Sequence, residues 1–141
     1  MALTFTDEER RYMGLFEEET DVQPLDCVID NEFDRVVFVV KQDQIAKAIG
    51  TNGQHVKQLQ EKIGGDIEVV ENAELPGQFV ANALEPAAVY DVEIEDNEET
   101  IAYADVDEED KGVAIGKDGR NIEMAKRLAD RHFGIDDIQL T

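Results

Sequence analysis

Two short segments carry residues whose types and spacing suit contact with a polyanion. They are Ile49-Gly50-Thr51-Asn52-Gly53 and Ile115-Gly116-Lys117-Asp118-Gly119, and the second follows the first by 66 positions. A glycine at each end of a four-residue turn removes the Cβ where a ligand backbone has to come close. Each copy follows a short apolar-periodic stretch (Ile45, Ala46, Ala48, Ile49; Val113, Ala114, Ile115). Each also precedes a longer one (Val56, Leu59, Ile63; Ile122, Ala125, Leu128, Ala129). Each turn therefore joins two helices. The second helix of each pair starts at the turn, and the unpaired amides of its first residues favour an anion there. A sugar-phosphate backbone is the anion that such a loop fits.

The charge distribution supports this reading once position is considered. The chain has 34 acidic and 13 basic residues, net −21, a total that would repel nucleic acid if it were spread evenly. Between Lys41 and Lys62, and between Lys111 and Arg131, there are 10 basic residues against 5 acidic ones. The other 98 residues hold 3 basic and 29 acidic residues. The two glycine turns are thus islands of positive charge on an acidic body. Such a body resembles the composition of proteins from cells that keep molar salt inside. At ~1 M salt the screening length is about 3 Å, so most of the self-repulsion is damped and only short contacts guide a ligand. The other account of the acidic excess is a basic protein partner in an ordinary cell.

The elements that must position these turns can be read in order. Thr6-Asp7-Glu8-Glu9 has the form of a capping box and opens a helix to about Glu19, with Met13 and Phe16 inward. Two β-branched runs, Cys27 to Asn31 and Arg35 to Val40, form a hairpin. Asp43 is placed to cap the short helix to Ile49, and a helix from about Gly53 to Ile63 stops at Gly64-Gly65 before a strand from Ile67 to Val70. Leu75-Pro76-Gly77 marks a boundary, which gives domains of residues 1–74 and 75–141. The order then repeats. A short helix from Phe79 to Leu84 precedes a strand from Val89 to Glu95, in which Tyr90, Val92 and Ile94 share one face and Asp91, Glu93 and Glu95 the other. Thr100 to Val106 is its hairpin partner, Asp107 is placed to cap the next short helix, and a helix from about Arg120 to Phe133 leads to a strand from Ile135 to Leu140.

Ile-Gly-x-x-Gly between two short helices, beside a three-stranded sheet in the order α-β-β-α-α-β, resembles the type II KH domain, a module for single-stranded nucleic acid. Two such units filling 141 residues are similar to the archaeal NusA-like transcription termination factors. The resemblance implies an α+β chain of two tandem KH domains, each a three-stranded sheet with its helices packed on one face. It implies single-stranded RNA and RNA polymerase as partners, a role in termination, antitermination or elongation control, and no catalytic activity. The residues it assigns to RNA are Gly50, Thr51, Asn52, Gly53 and Lys57 in the first unit. In the second they are Ile115, Gly116, Lys117, Asp118, Gly119, Arg120 and Lys126. Ile45, Ala46, Ile49, Val56, Val113, Ile115 and Ile122 become either a floor for splayed bases or plain core. Lys57, Arg120, Lys126 and Arg127 either reach phosphates or are solvated charges. The first loop departs from the pattern, because Thr51 and Asn52 bring no positive charge where the second loop has Lys117. Two other functions stay open: a KH protein of ribosomal or other stable RNA, and a protein-interaction scaffold whose loops no longer bind nucleic acid.

Other chemistry has weak support. Gly112 to Lys117 is one residue short of a phosphate-binding P-loop, and Asp118 stands where a hydroxyl would hold magnesium. The acidic run Asp105 to Asp110 puts Lys111 at a ligand position in any calcium-loop frame that turns at Gly112. His55 and His132 lack a Cys or carboxylate at metal-ligand spacing, so no metal, cofactor or small-molecule substrate is expected. Cys27 is alone, which points to a reducing interior. With no basic-then-apolar leader and no apolar run of about 18 residues, a cytoplasmic protein with no membrane association is expected.

Overall fold

Thr6 opens the first helix: its Oγ1 accepts from the Glu9 amide at 3.1 Å while Glu9 Oε1 accepts from the Thr6 amide at 2.7 Å. This reciprocal cap sets the start of α1 (Asp7–Thr20), as the sequence requires. The computed structural model describes residues 3–141; Met1 and Ala2, at the head of the expected first domain, lie outside it. The chain parts into two units, Met1–Asn72 and Ala73–Thr141.

In the first unit α1 is followed by β1 (Asp26–Asp30), β2 (Arg35–Val40), α2 (Ile45–Ile49), a 3-10 turn (Thr51–Gly53), α3 (Gln54–Ile63) and β3 (Asp66–Glu71). The sheet order is β1-β2-β3, with β1 antiparallel and β3 parallel to β2. Val36, Phe38 and Val40 alternate along β2 and so share one face. They are buried with Phe16, Ala48, Leu59 and Ile67, which places all three helices on that face. The rings of Phe16 and Phe38 lie 4.4 Å apart at the centre. At the hairpin end Arg35, 4% exposed, donates to Asp30 at 2.7 Å and to Glu68 at 3.1 Å, so its buried guanidinium is paired.

The second unit repeats the order: α4 (Pro76–Ala83), β4 (Val89–Asp96), β5 (Thr100–Val106), α5 (Lys111–Ile115), a 3-10 turn (Lys117–Gly119), α6 (Arg120–Phe133) and β6 (Asp137–Leu140). The sheet order is β4-β5-β6 with the same antiparallel and parallel pairings. Small residues on β5, Ala102 and Ala104, let α6 seat Ala125, Leu128 and Ala129 into a core that also holds Ala114 and Ile138. Both units are therefore α+β, a three-stranded sheet with helices on one face.

Three local expectations are corrected. Tyr90 does not share the inward face with Val92 and Ile94. A bulge between Val89 and Asp91 leaves Tyr90 unpaired, so Val89 joins the core and Tyr90 is 69% exposed. Asp43 does not cap α2, for it sits at φ +68° and its amide donates to Glu71 Oε2, whereas an N-cap needs extended backbone. Asp107 does not cap either, because its carboxylate accepts from the Tyr90 hydroxyl at 3.0 Å. A fourth difference is small: α4 starts at Pro76, three residues before Phe79, since proline fits the first turn of a helix.

Candidate nucleic-acid interface

The two glycine turns have the same backbone. Gly50 and Gly116 stand at φ, ψ of 80°, 171° and 76°, 168°; Asn52 and Asp118 at 54°, 28° and 56°, 24°; Gly53 and Gly119 at 71°, 20° and 77°, 12°. The third position is left-handed without being glycine. Asn and Asp tolerate that region better than other side chains, so Asn52 and Asp118 are explained by backbone geometry before any ligand is invoked. At the first position glycine is required twice over. A Cβ on Gly116 would lie 2.7 Å from the Asn121 amide, and one on Gly50 would lie 2.9 Å from the His55 ring.

Those two neighbours are functional candidates that the sequence reading passed over. His55 Nδ1 lies 3.0 Å from the Lys47 carbonyl oxygen, and Asn121 Nδ2 donates to the Val113 carbonyl at 2.8 Å. In each unit one polar side chain, five residues beyond the first loop glycine, ties the helix after the turn to the helix before it. The available signal was that shared register. It was faint because His and Asn are not alike.

Each turn is closed by a backbone bond between its glycines, Gly53 to Gly50 and Gly119 to Gly116, both 3.1 Å. The amides of Lys117 and Asp118 stand ahead of the 14-residue helix α6, where the peptide dipoles favour an anion. Val113 and Ile115, each 44% exposed, are carried by α5 immediately before this turn. The matching positions of the first unit are Lys47 and Ile49, and Ile49 is half-buried. Apolar surface that could lie under a base is therefore greater at the second turn. Ala48 and Ala114, by contrast, are fully buried core.

A KH-domain family model matches residues 10–75, and the model of the NusA-like second KH domain matches residues 76–141. A probable transcription termination protein NusA of Halobacterium salinarum is 52% identical over the whole of both chains. The chain belongs to the NusA family. Another member, from Halococcus morrhuae, is 47% identical over 99% of each chain, and one from Methanocaldococcus jannaschii is 31% identical over 96% of this chain and 73% of its own. The crystal structure of a protein named APE1850 aligns with a TM-score of 0.86 at 31% identity, covering 97% of this chain and all of that one. Two of these NusA relatives come from halophiles, in keeping with the acidic composition.

The NusA-family frame is carried by two KH units whose electrostatics differ. In the first, Lys47 pairs with Asp21 at 3.6 Å and Lys62 with Glu19 at 3.1 Å, so part of its basic island is already neutralised. Lys57 is exposed and makes no ion pair among the described residues. In the second, Lys117 at the turn and Arg127 on α6 are exposed and likewise unpaired among the described residues, and Arg120 is half-buried at the helix start. Lys126 is engaged differently. Its ammonium sits 3.2 Å from Asp137 on β6 and 3.6 Å from Glu123. Partial burial lowers its pKa, but these carboxylates more than compensate and hold it above the usual lysine value. A phosphate at Lys126 would have to displace two carboxylates.

Among the described residues no three His, Cys, Asp or Glu side chains are grouped to hold a metal ion. Nor, among these residues, is any helix long and apolar enough to cross a membrane.

Proposed function

We propose that this NusA-family chain binds single-stranded RNA in the cytoplasm and acts in transcription termination or elongation control together with RNA polymerase. The second glycine turn is the principal RNA contact. Its support is one local arrangement: two amides at a helix start, the exposed ammonium of Lys117, and the exposed apolar pair Val113 and Ile115, all on six consecutive residues. Amides and Lys117 would take the phosphates, and Val113 and Ile115 would lie under the bases. Gly116 and Gly119 shape the turn, Ile115 borders it, and Arg120 adds charge at its end. Gly50, Thr51, Asn52, Gly53 and Lys57 form the weaker counterpart in the first unit. The names of the relatives supply the process, since those proteins are called transcription termination proteins.

Filter binding of a uridine-rich oligonucleotide in molar potassium chloride tests the reading. Lys117→Asp keeps both glycines and the turn, removes a phosphate partner and adds a repelling charge. Affinity should fall by about tenfold or more with an unchanged circular dichroism spectrum. Equal affinity for the variant would remove the second turn from the RNA site. Co-purification of the intact chain with RNA polymerase, rather than with ribosomal precursors, tests the process.

A further inference from the structure

The exposed large apolar side chains of the described residues are four, and two of them, Val113 and Ile115, belong to the turn discussed above. The other two, Leu75 and Tyr90, are 70% and 69% exposed and border one groove. It is a cavity of about 400 Å³ between α4 and β4, lined chiefly by Leu75, Gly77, Ala81, Tyr90, Val92 and Ile94. A Cβ on Gly77 would rest 3.6 Å from Val92, so the α4 backbone lies close on β4 and the groove has a firm floor.

Two features make this groove more than a gap in packing. Tyr90 is outside because of the bulge, which takes it out of the strand alternation, and its hydroxyl is held by Asp107 at 3.0 Å. The ring is thus fixed in an outward position. The groove also lies beside a short helix, α4 having 8 residues where α1 has 14. Four of the five residues of β1 are buried, while no residue of β4 is fully buried.

The surroundings select the occupant. From Glu85 to Asp110 there are 12 acidic residues and no basic one; Asp91 lines the groove, and Glu93 and Glu95 are exposed on the opposite face of the same strand. β4 is an edge strand, with its backbone paired only to β5. A second copy would bring the same carboxylates and be repelled, and RNA would be repelled for the same reason. A cationic protein segment is complementary. Charge by itself holds such a segment weakly in molar salt, where the screening length is about 3 Å, so burial of apolar surface has to supply part of the affinity. We propose that the α4–β4 groove of the second unit docks a lysine- or arginine-rich segment of a partner protein, with an apolar side chain of that segment seated between Leu75 and Tyr90, one cation on Asp91 and the flanking cations reaching past the free edge of β4 to Glu93 and Glu95.

The probe is a fluorescent dodecapeptide of lysine and serine carrying two leucines, with an all-lysine-and-serine peptide as control, titrated into the intact chain in 2 M potassium chloride. Nuclear magnetic resonance of the labelled protein should show saturable shifts confined to residues 75–81 and 89–94 with the leucine peptide. Leu75→Ser and Tyr90→Ser should weaken binding by about tenfold, whereas Tyr90→Phe, which keeps the ring, should bind like the parent. Both positions are exposed, and an unchanged amide spectrum elsewhere verifies that each variant is folded. Equal binding of the control peptide, or shifts spread over every acidic segment, would reduce the groove to generic polyanion behaviour and overturn the proposal. So would shifts in these residues caused by a uridine oligonucleotide or by raising protein concentration alone, or no shift at 1 mM peptide. The outcome is independent of whether Lys117 binds RNA.

Discussion

Asn121 donates to the Val113 carbonyl at 2.8 Å and so fastens α6 to α5 across the second glycine turn. His55 holds α3 to α2 across the first turn through the Lys47 carbonyl, which requires a hydrogen on the ring nitrogen that faces it. The two clasps have different chemistry and the same geometry. Asn121→Ala should remove roughly 1 kcal/mol of net hydrogen bonding and lower the thermal midpoint by about 4–8 °C. If the clasp also holds the turn ready for RNA, affinity should drop by about fivefold, and Asn121→His should restore most of it. Filter binding with a melting curve checks both effects, and unchanged affinity for Asn121→Ala would leave the clasp a purely structural role.

Thr51→Lys should strengthen RNA binding. It puts a cation at the position that Lys117 holds in the second turn, on a backbone of the same shape. One added phosphate contact on a single strand steepens the log–log salt dependence by about 0.7. The slope of affinity against potassium chloride concentration is the readout. An unaltered slope would mean that RNA does not pass over the first turn.

Asp30 should make the first unit sensitive to acid. Burial alone would push its carboxyl up, but the Arg35 hydrogen bond, the Phe33 and Glu32 amides and the Arg35 charge outweigh that and hold it below the ordinary aspartate value. A depressed folded-state pKa means that the stabilisation is fully present above the unfolded value of about 3.9 and is lost as pH falls through the folded one. Asp30→Asn should cost about 1.5–3 kcal/mol at pH 7, the range for hydrogen bonds to charged groups. The difference between parent and variant should shrink below about pH 4. Urea unfolding at pH 7 and pH 3 measures it, and a constant difference would disprove the assignment.

Folding should require salt. Outside the two basic islands 29 acidic residues face 3 basic ones, and the screening length grows from about 3 Å at 1 M to about 10 Å at 0.1 M. Units of about 70 residues have little stability to spare against the added repulsion. Circular dichroism should show partial unfolding on dialysis to 0.1 M potassium chloride and recovery at 2 M. A melting midpoint that stays level across that range would remove the halophilic explanation of the acidic surface.

The elements were legible because their signals are local. Thr6 and Glu9 interact three residues apart, Gly64 and Gly134 end helices at the positions they occupy, and the alternation of Val36, Phe38 and Val40 declares a buried strand face by itself. The Gly-x-x-Gly turns belong to this class too, since their shape depends on which residues can adopt a left-handed backbone. From sequence alone, therefore, the twofold α-β-β-α-α-β order, the two turns and the concentration of positive charge around them were determined.

What the tertiary structure decided was partnership between residues that no local preference couples. Whether Tyr90 or Val89 faces inward depends on the register of β4 against β5, where one extra residue reverses the face. Asp43 and Asp107 carry a helix-capping side chain, yet Glu71, 28 residues away, and Tyr90, 17 residues away, engage them first. Lys126 follows Glu123 at helical spacing, but its nearer carboxylate, Asp137, is brought beside it only by the return of β6. Capping and helix periodicity act within about four residues, so a sequence displays them openly. Strand register and ion-pair choice are settled only when the sheet closes, because the competing partners are then brought within hydrogen-bonding distance.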